Sequence, residues 1–230
     1  MGEAERAALC ERGLEAIFDV DLKAAIGRII DDVRANGDEA VCRALRDFDH
    51  VVVEPDRLRA SPDEIASATV AAEVDAAIDD AVAHLRAFNE QLMLRAADWS
   101  FESEPGLQVG EKVTPISSAG LYVPSGKASY PSVAYQLAVP ATVAGVPELA
   151  LVVPPMPDGS GGIDPAVLVV CRKLGIDNVF RVNGPAGIAA LGFGTQSIPK
   201  ARNAPKSVAN VTQNHRARRV KRRAAPSSPT

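Results

Sequence analysis

GLYVPSGKASYPS, residues 120–132, decides how this chain is read. An aliphatic run breaks on Pro124, Ser125 and Gly126, and a helix-like pattern starts near Tyr130. Downstream the same alternation returns. LYV at 121–123, ELALVV at 148–153 and NVFRV at 178–182 read as strands, and 130–145, 164–174 and 186–192 read as helices. Strands spaced by helices predict βαβ units and a parallel sheet. Right-handed crossovers then bring the turns PSGK, PPMPDGSGG and NGPAG to one carboxyl edge. Turns of this kind lead backbone N–H groups and positive helix ends toward an anion, and a dinucleotide pyrophosphate is the natural ligand. No G-x-G-x-x-G follows any strand, and GFG at 192–194 reads as a helix end.

Upstream, residues 19–112 read as helical. Leu22, Ile26, Ile29, Ile30 and Val33 share one helical face, with Gly37 as a stop signal and Asp38 as the cap of the next helix. Ser61, Pro62 and Glu64 form a capping-box pattern, followed at helical spacing by Val74, Ile78, Val82, Leu85 and Leu92. His50 and His84 are solitary and read as solvated or packed.

The composition is that of a globular protein, with 47% hydrophobic and 23% charged residues. Cys10, Cys42 and Cys171 lack metal-ligand spacing and read as reduced structural thiols, a reactive thiol being the alternative. The start, MGEAERAALCERGLEA, is acidic where a secretory leader needs basic and apolar stretches, and no apolar run is long enough to span a membrane; a cytoplasmic location is expected. The net charge of −4 hides a division. Residues 201–230 hold eight Lys or Arg and no acid, leaving 17 basic against 29 acidic residues before them. That tail is too polar to order itself. RARRVKRR at 216–223 could meet nucleic-acid phosphates, but no interleaved aromatic or folded scaffold supports that reading, and nucleic acid is disfavoured.

GLYVPSGKASYPS, AVPATVAGVPELALVVPP and DPAVLVVCRKLGIDNVFRVNGPAGIAALGFGTQSIPK, in this order, resemble the histidinol dehydrogenase family. DDVRANGDEAVCRALRDFDHV and SPDEI are similar to its N-terminal part, so the resemblance covers roughly 15–200. It implies an α/β fold: 1–112 as a mostly helical, incomplete half of a split α/β domain, 113–200 as a Rossmann-like parallel-sheet domain, and 201–230 as a disordered basic tail. It also implies an NAD-dependent and zinc-dependent oxidation of an amino alcohol, L-histidinol to L-histidine in the biosynthetic enzyme, or of another small alcohol. A complete chain is expected to be a homodimer.

Carried over residue by residue, the resemblance places cofactor contacts at Tyr122, Pro124 and Gly126. The family's cofactor-binding Gln falls on Ala186 here, and NGPAGIAALGFGT resembles a paralogous branch acting on other small alcohols. An alanine has neither the donor nor the acceptor of that amide. Past Lys200 the family continues into its Glu-His acid and base and its zinc ligands, which find no match in ARNAPKSVANVTQNHRARRVKRRAAPSSPT. No catalytic residue and no metal ligand are therefore assigned. The break near 200 reads as a lost reading frame, and this chain alone is expected to be inactive, with a non-catalytic dinucleotide-binding module as the alternative. An apolar face on 19–112 is expected to stay uncovered.

Overall fold

The computed structural model describes residues 19–124, 130–201 and 221–222. Its centre is a three-stranded parallel sheet of β3 (Ser118–Tyr122), β4 (Glu148–Val153) and β5 (Val179–Arg181), in that order. Ser118 pairs with Glu148 and Leu151 with Val179. Each strand leads to a helix: α5 (Pro131–Val143), α6 (Pro165–Leu174) and α7 (Gly184–Phe193). The parallel βαβ arrangement expected from 113 onward is thus present.

Alternation along the strands sends side chains into two cores. Leu121, Leu151, Val153 and Val179 face one layer with Ile65, Ile78, Ala138 and Val170. Val152, Phe180 and Val182 face the other, with Val33, Leu45, Leu58 and Leu191. The helical lead supplies both layers. α1 (Val20–Asn36) and α2 (Asp38–Ala44, prolonged as a wider turn through Asp49) cover the second core, α3 (Pro62–Ser67) and α4 (Ala72–Leu94) the first. Small residues let α7 lie close to the sheet. A Cβ added to Gly120 of β3 would meet Leu191 of α7 at 2.9 Å.

The junction of α1 and α2 differs from expectation. Asp38 does not cap α2 through its own carboxylate; it occupies the first helical position, and its N–H donates to Gln196 Oε1 at 2.9 Å. Its carboxylate, 4% exposed, accepts from the Ser197 hydroxyl instead. Gly37 is the true junction residue, at φ 57° and ψ −128°, where an added Cβ would stand 2.2 Å from Gln196 Oε1. Backbone strain and the displaced amide act together, so Gly37→Ala is expected to lower stability by about 2 kcal/mol in a urea titration.

The capping box forms as read: Glu64 N–H donates to Ser61 Oγ at 3.1 Å, and Ser61 N–H to the Glu64 carboxylate at 2.8 Å. Glu64 also pairs with Arg181 of β5. That guanidinium donates further to the carbonyls of Gly161 at 2.8 Å, Arg57 at 2.6 Å and Arg59 at 3.2 Å. One side chain thereby ties the sheet to three loop and helix-end segments.

The helical reading fails at its end. Trp99–Glu104 (β1) and Leu107–Glu111 (β2) form an antiparallel hairpin. The alternation W-S-F-E-S-E followed by Pro105-Gly106 is a strand and a turn, with Gly106 at φ 80°. Every β1 residue is exposed. Lys221 and Arg222 (β6) pair with Gln108 and Leu107 on the outer edge of β2; the rest of the expected disordered tail, 202–220 and 223–230, lies outside the described residues. Ala201 belongs to the folded unit, buried with its N–H on the Leu191 carbonyl. Leu22, Phe48, Val74, Phe88, Leu92 and Leu94 remain exposed among the described residues. Among the described residues no helix is long and apolar enough to cross a membrane.

Candidate functional site

The carboxyl ends of β3 and β5 bring Tyr122 and Asn183 together. Asn183 is the N-cap of α7, its Oδ1 accepting from Gly184 N–H at 2.7 Å. The same oxygen accepts from the Tyr122 hydroxyl at 3.1 Å, while Gly184 N–H also reaches the Tyr122 oxygen at 3.3 Å. On its other side Asn183 Nδ2 donates to Asp49 Oδ1 at 2.5 Å. A relay therefore runs from Tyr122 through Asn183 to Asp49 at the end of α2. Each step is fixed by an element terminus: a strand end, a helix cap, and the last residue before His50, which adopts the left-handed conformation and turns the chain.

Burial pushes the Tyr122 phenol upward, so Tyr122 stays a neutral donor. Burial also raises Asp49, opposed by the hydrogen bond from Asn183. Asp49 and Asn183 of the relay line a groove of about 710 Å³ between α1, α2 and the start of α7. Leu22, Ile26, Ile29 and Phe48 are among its apolar lining residues, and Arg28, Asp32, Arg43, Asp47, Asp49 and Asn183 among its polar ones.

Of the residues proposed from the sequence as cofactor contacts, Tyr122 stands in this relay beside the groove. Pro124 is partly buried just past β3, and Gly126 lies outside the described residues. The anion cradle expected of NGPAG is largely occupied by the chain itself. Gly184 N–H is occupied by Asn183 and Tyr122, Pro185 has no N–H, and Gly187 N–H donates to the Asn183 carbonyl at 3.1 Å. Asp49 escaped the sequence reading because it lies 134 residues from Asn183. The cap pattern at Asn183 was visible, its second partner was not.

The thiols are not chemical groups of this site. Burial pushes Cys171 to about 12, and burial with the neighbouring Asp38 pushes Cys42 to about 11. Cys10 lies outside the described residues. His84 is exposed beside Asp80. Among the described residues no group of three or more His, Cys, Asp or Glu is placed to hold a metal, so zinc does not fit the residues described.

The family model for histidinol dehydrogenase matches residues 15–204. A histidinol dehydrogenase of Ruegeria pomeroyi is 44% identical over 180 residues, covering 77% of this chain and 40% of the relative. A histidinol dehydrogenase homolog of Colwellia psychrerythraea is 38% identical over 192 residues, 83% of this chain and 41% of the relative. The crystal structure of histidinol dehydrogenase from Elizabethkingia anophelis superposes with a TM-score of 0.75 at 29% identity, over 87% of this chain and 45% of that one. The chain thus spans less than half the length of these relatives. With the matched residues running from α1 through both cores to the end of α7, the chain belongs to the histidinol dehydrogenase family.

Proposed function

We propose that this chain carries the cofactor-side portion of a histidinol dehydrogenase-type oxidoreductase, one that oxidises an amino alcohol or another small alcohol with NAD. The observation that carries this reading is the Tyr122–Asn183–Asp49 relay, whose Asn183 and Asp49 line the groove. The lining suits a nucleoside, with apolar side chains for a planar ring and hydrogen-bonding groups for hydroxyls. When bound, NAD supplies the hydride acceptor. The chain's own residues bind and orient it: Asn183 holds the Tyr122 hydroxyl in place, and the half-buried phenol excludes water from the strand end.

Alcohol oxidation also needs a base for the hydroxyl proton and a group that stabilises the developing oxyanion. The described residues of the site offer neither a histidine nor a metal-holding cluster. The 230-residue chain is therefore proposed to bind cofactor without turning over. A place in the cytoplasm, and a homodimer for a complete protein, belong to the same proposal. The groove keeps the second reading, a non-catalytic dinucleotide-binding module, alive for the isolated chain.

Calorimetry with millimolar NAD is expected to give saturable heat with the purified chain, weakened about fivefold in Tyr122→Phe, the loss of one hydrogen bond. The same chain with histidinol, NAD and zinc is expected to form no NADH. Zinc-dependent NADH formation would overturn the inactive reading, and absence of any NAD heat would overturn the cofactor reading.

A further inference from the structure

The hairpin of β1 and β2 shares no residue with either core, and a two-stranded hairpin is marginal by itself. Its two edges differ. β1 is exposed at every residue, and its register shifts between Glu102 and Glu104, an irregularity that interrupts the row of backbone donors and acceptors a neighbouring strand needs. β2 has no such interruption, and Leu107, Val109, Gly110 and Glu111 are half-buried. The regular edge is therefore that of β2, and Lys221 and Arg222 pair there, antiparallel, opposite Gln108 and Leu107.

Charge runs the same way. Residues 98–112 hold Asp98, Glu102, Glu104 and Glu111 against Lys112, whereas RARRVKRR at 216–223 is basic at six positions and holds no acid. Carried onward, the antiparallel register sets Val220 opposite Val109 and Arg218 opposite Glu111. Across β2 the same positions pair with Phe101 and Trp99. One row of the three strands is thus apolar throughout, and the next sets an arginine against a carboxylate, both favourable cross-strand combinations.

We propose that the outer edge of β2 is a docking site for a basic extended strand, occupied by residues 218–222 of the same chain. Main-chain hydrogen bonds supply the attachment, and the acidic hairpin selects for basic residues. Roughly twenty residues separate the buried Ala201 from Lys221, and fully extended they reach about 65 Å, ample for the chain to return to its own hairpin.

Residue-resolved amide hydrogen exchange of the full chain tests this, with the amides of β4 as the internal reference for folding. Within Leu107–Glu111, the alternate amides turned away from β1 are expected to be protected at low salt and to exchange faster in about 0.5 M salt. Replacing both Arg219 and Val220 by proline removes a donor whichever of the two faces β2, and is expected to speed those amides about tenfold. The same replacement at Asn210 and Val211, in the tail but outside the register, is expected to leave them unchanged. Arg218→Glu sets like charges opposite each other and is expected to speed exchange about threefold, with Glu111→Lys in the same chain restoring protection. Exchange unaltered by prolines at 219 and 220, or equally quickened by prolines at 210 and 211, overturns the proposal. A charge swap that restores nothing overturns the register. Protection that rises with protein concentration places the strand on a second copy and overturns its assignment to the same chain.

Discussion

Arg181→Met is expected to lower the stability of the folded chain by about 3 kcal/mol, because it breaks a buried ion pair and strands its partners. The Arg181 side chain is 3% exposed. Its removal orphans the carbonyls of Gly161, Arg57 and Arg59 together with the Glu64 carboxylate. Methionine fills part of the volume and satisfies none of them. Glu64→Gln should lose less, since Glu64 is one-third exposed and the three carbonyls keep their donor. Urea titrations of the two variants measure the difference, and a midpoint for Arg181→Met equal to the unaltered chain would show that the guanidinium does not hold these segments together. The contrast with Lys173 is instructive. Its pairs with Asp75 at 3.1 Å and Asp79 at 2.7 Å lie at the surface, where salt screens them.

Phe180→Ala is expected to cost about 4 kcal/mol, the range for deleting a fully buried aromatic ring. Phe180 precedes Arg181 in β5 and points to the opposite layer, among Val33, Leu45 and Leu58. Among the described residues it is the largest side chain wholly enclosed by the fold. Its loss opens a cavity beneath α1 and α2, which close the groove from the other side. Thermal and urea unfolding check the magnitude, and the conservative Phe180→Leu should cost about 1 kcal/mol if volume governs the effect. A large loss in Phe180→Leu as well would point to ring geometry instead.

Much of this architecture was legible because local signals and global topology agree in it. ELALVV reads as a strand and is one, Glu148–Val153, because an unbroken aliphatic run in a parallel sheet is buried on both faces. Ser61-Pro62-Asp63-Glu64 reads as a cap and makes both reciprocal bonds. The hairpin was misread since helical spacing was extended through a region whose period is two. Trp99, Phe101 and the Pro105-Gly106 turn carried the opposite signal. At the site, Tyr122 was reachable from motif resemblance, and Asn183 from its place before Gly-Pro. Asp49 was not, because its role exists only where the end of α2 meets the cap of α7, and no local pattern encodes that meeting. The open anion cradle was expected from glycine and proline alone; a side-chain cap and a proline nitrogen take up much of it.

The hairpin has a practical consequence for anyone watching this protein by light. The chain's one tryptophan, Trp99, sits on β1, 51% exposed, stacked on Phe101 at 6.2 Å and bonded through its indole N–H to Glu111. It shares no residue with either core or with the groove lining. Its emission should be red-shifted and open to acrylamide quenching while the sheet is fully folded. A fluorescence melt would then follow the peeling of β1 from β2, and a ligand entering beside Asp49 would pass unseen.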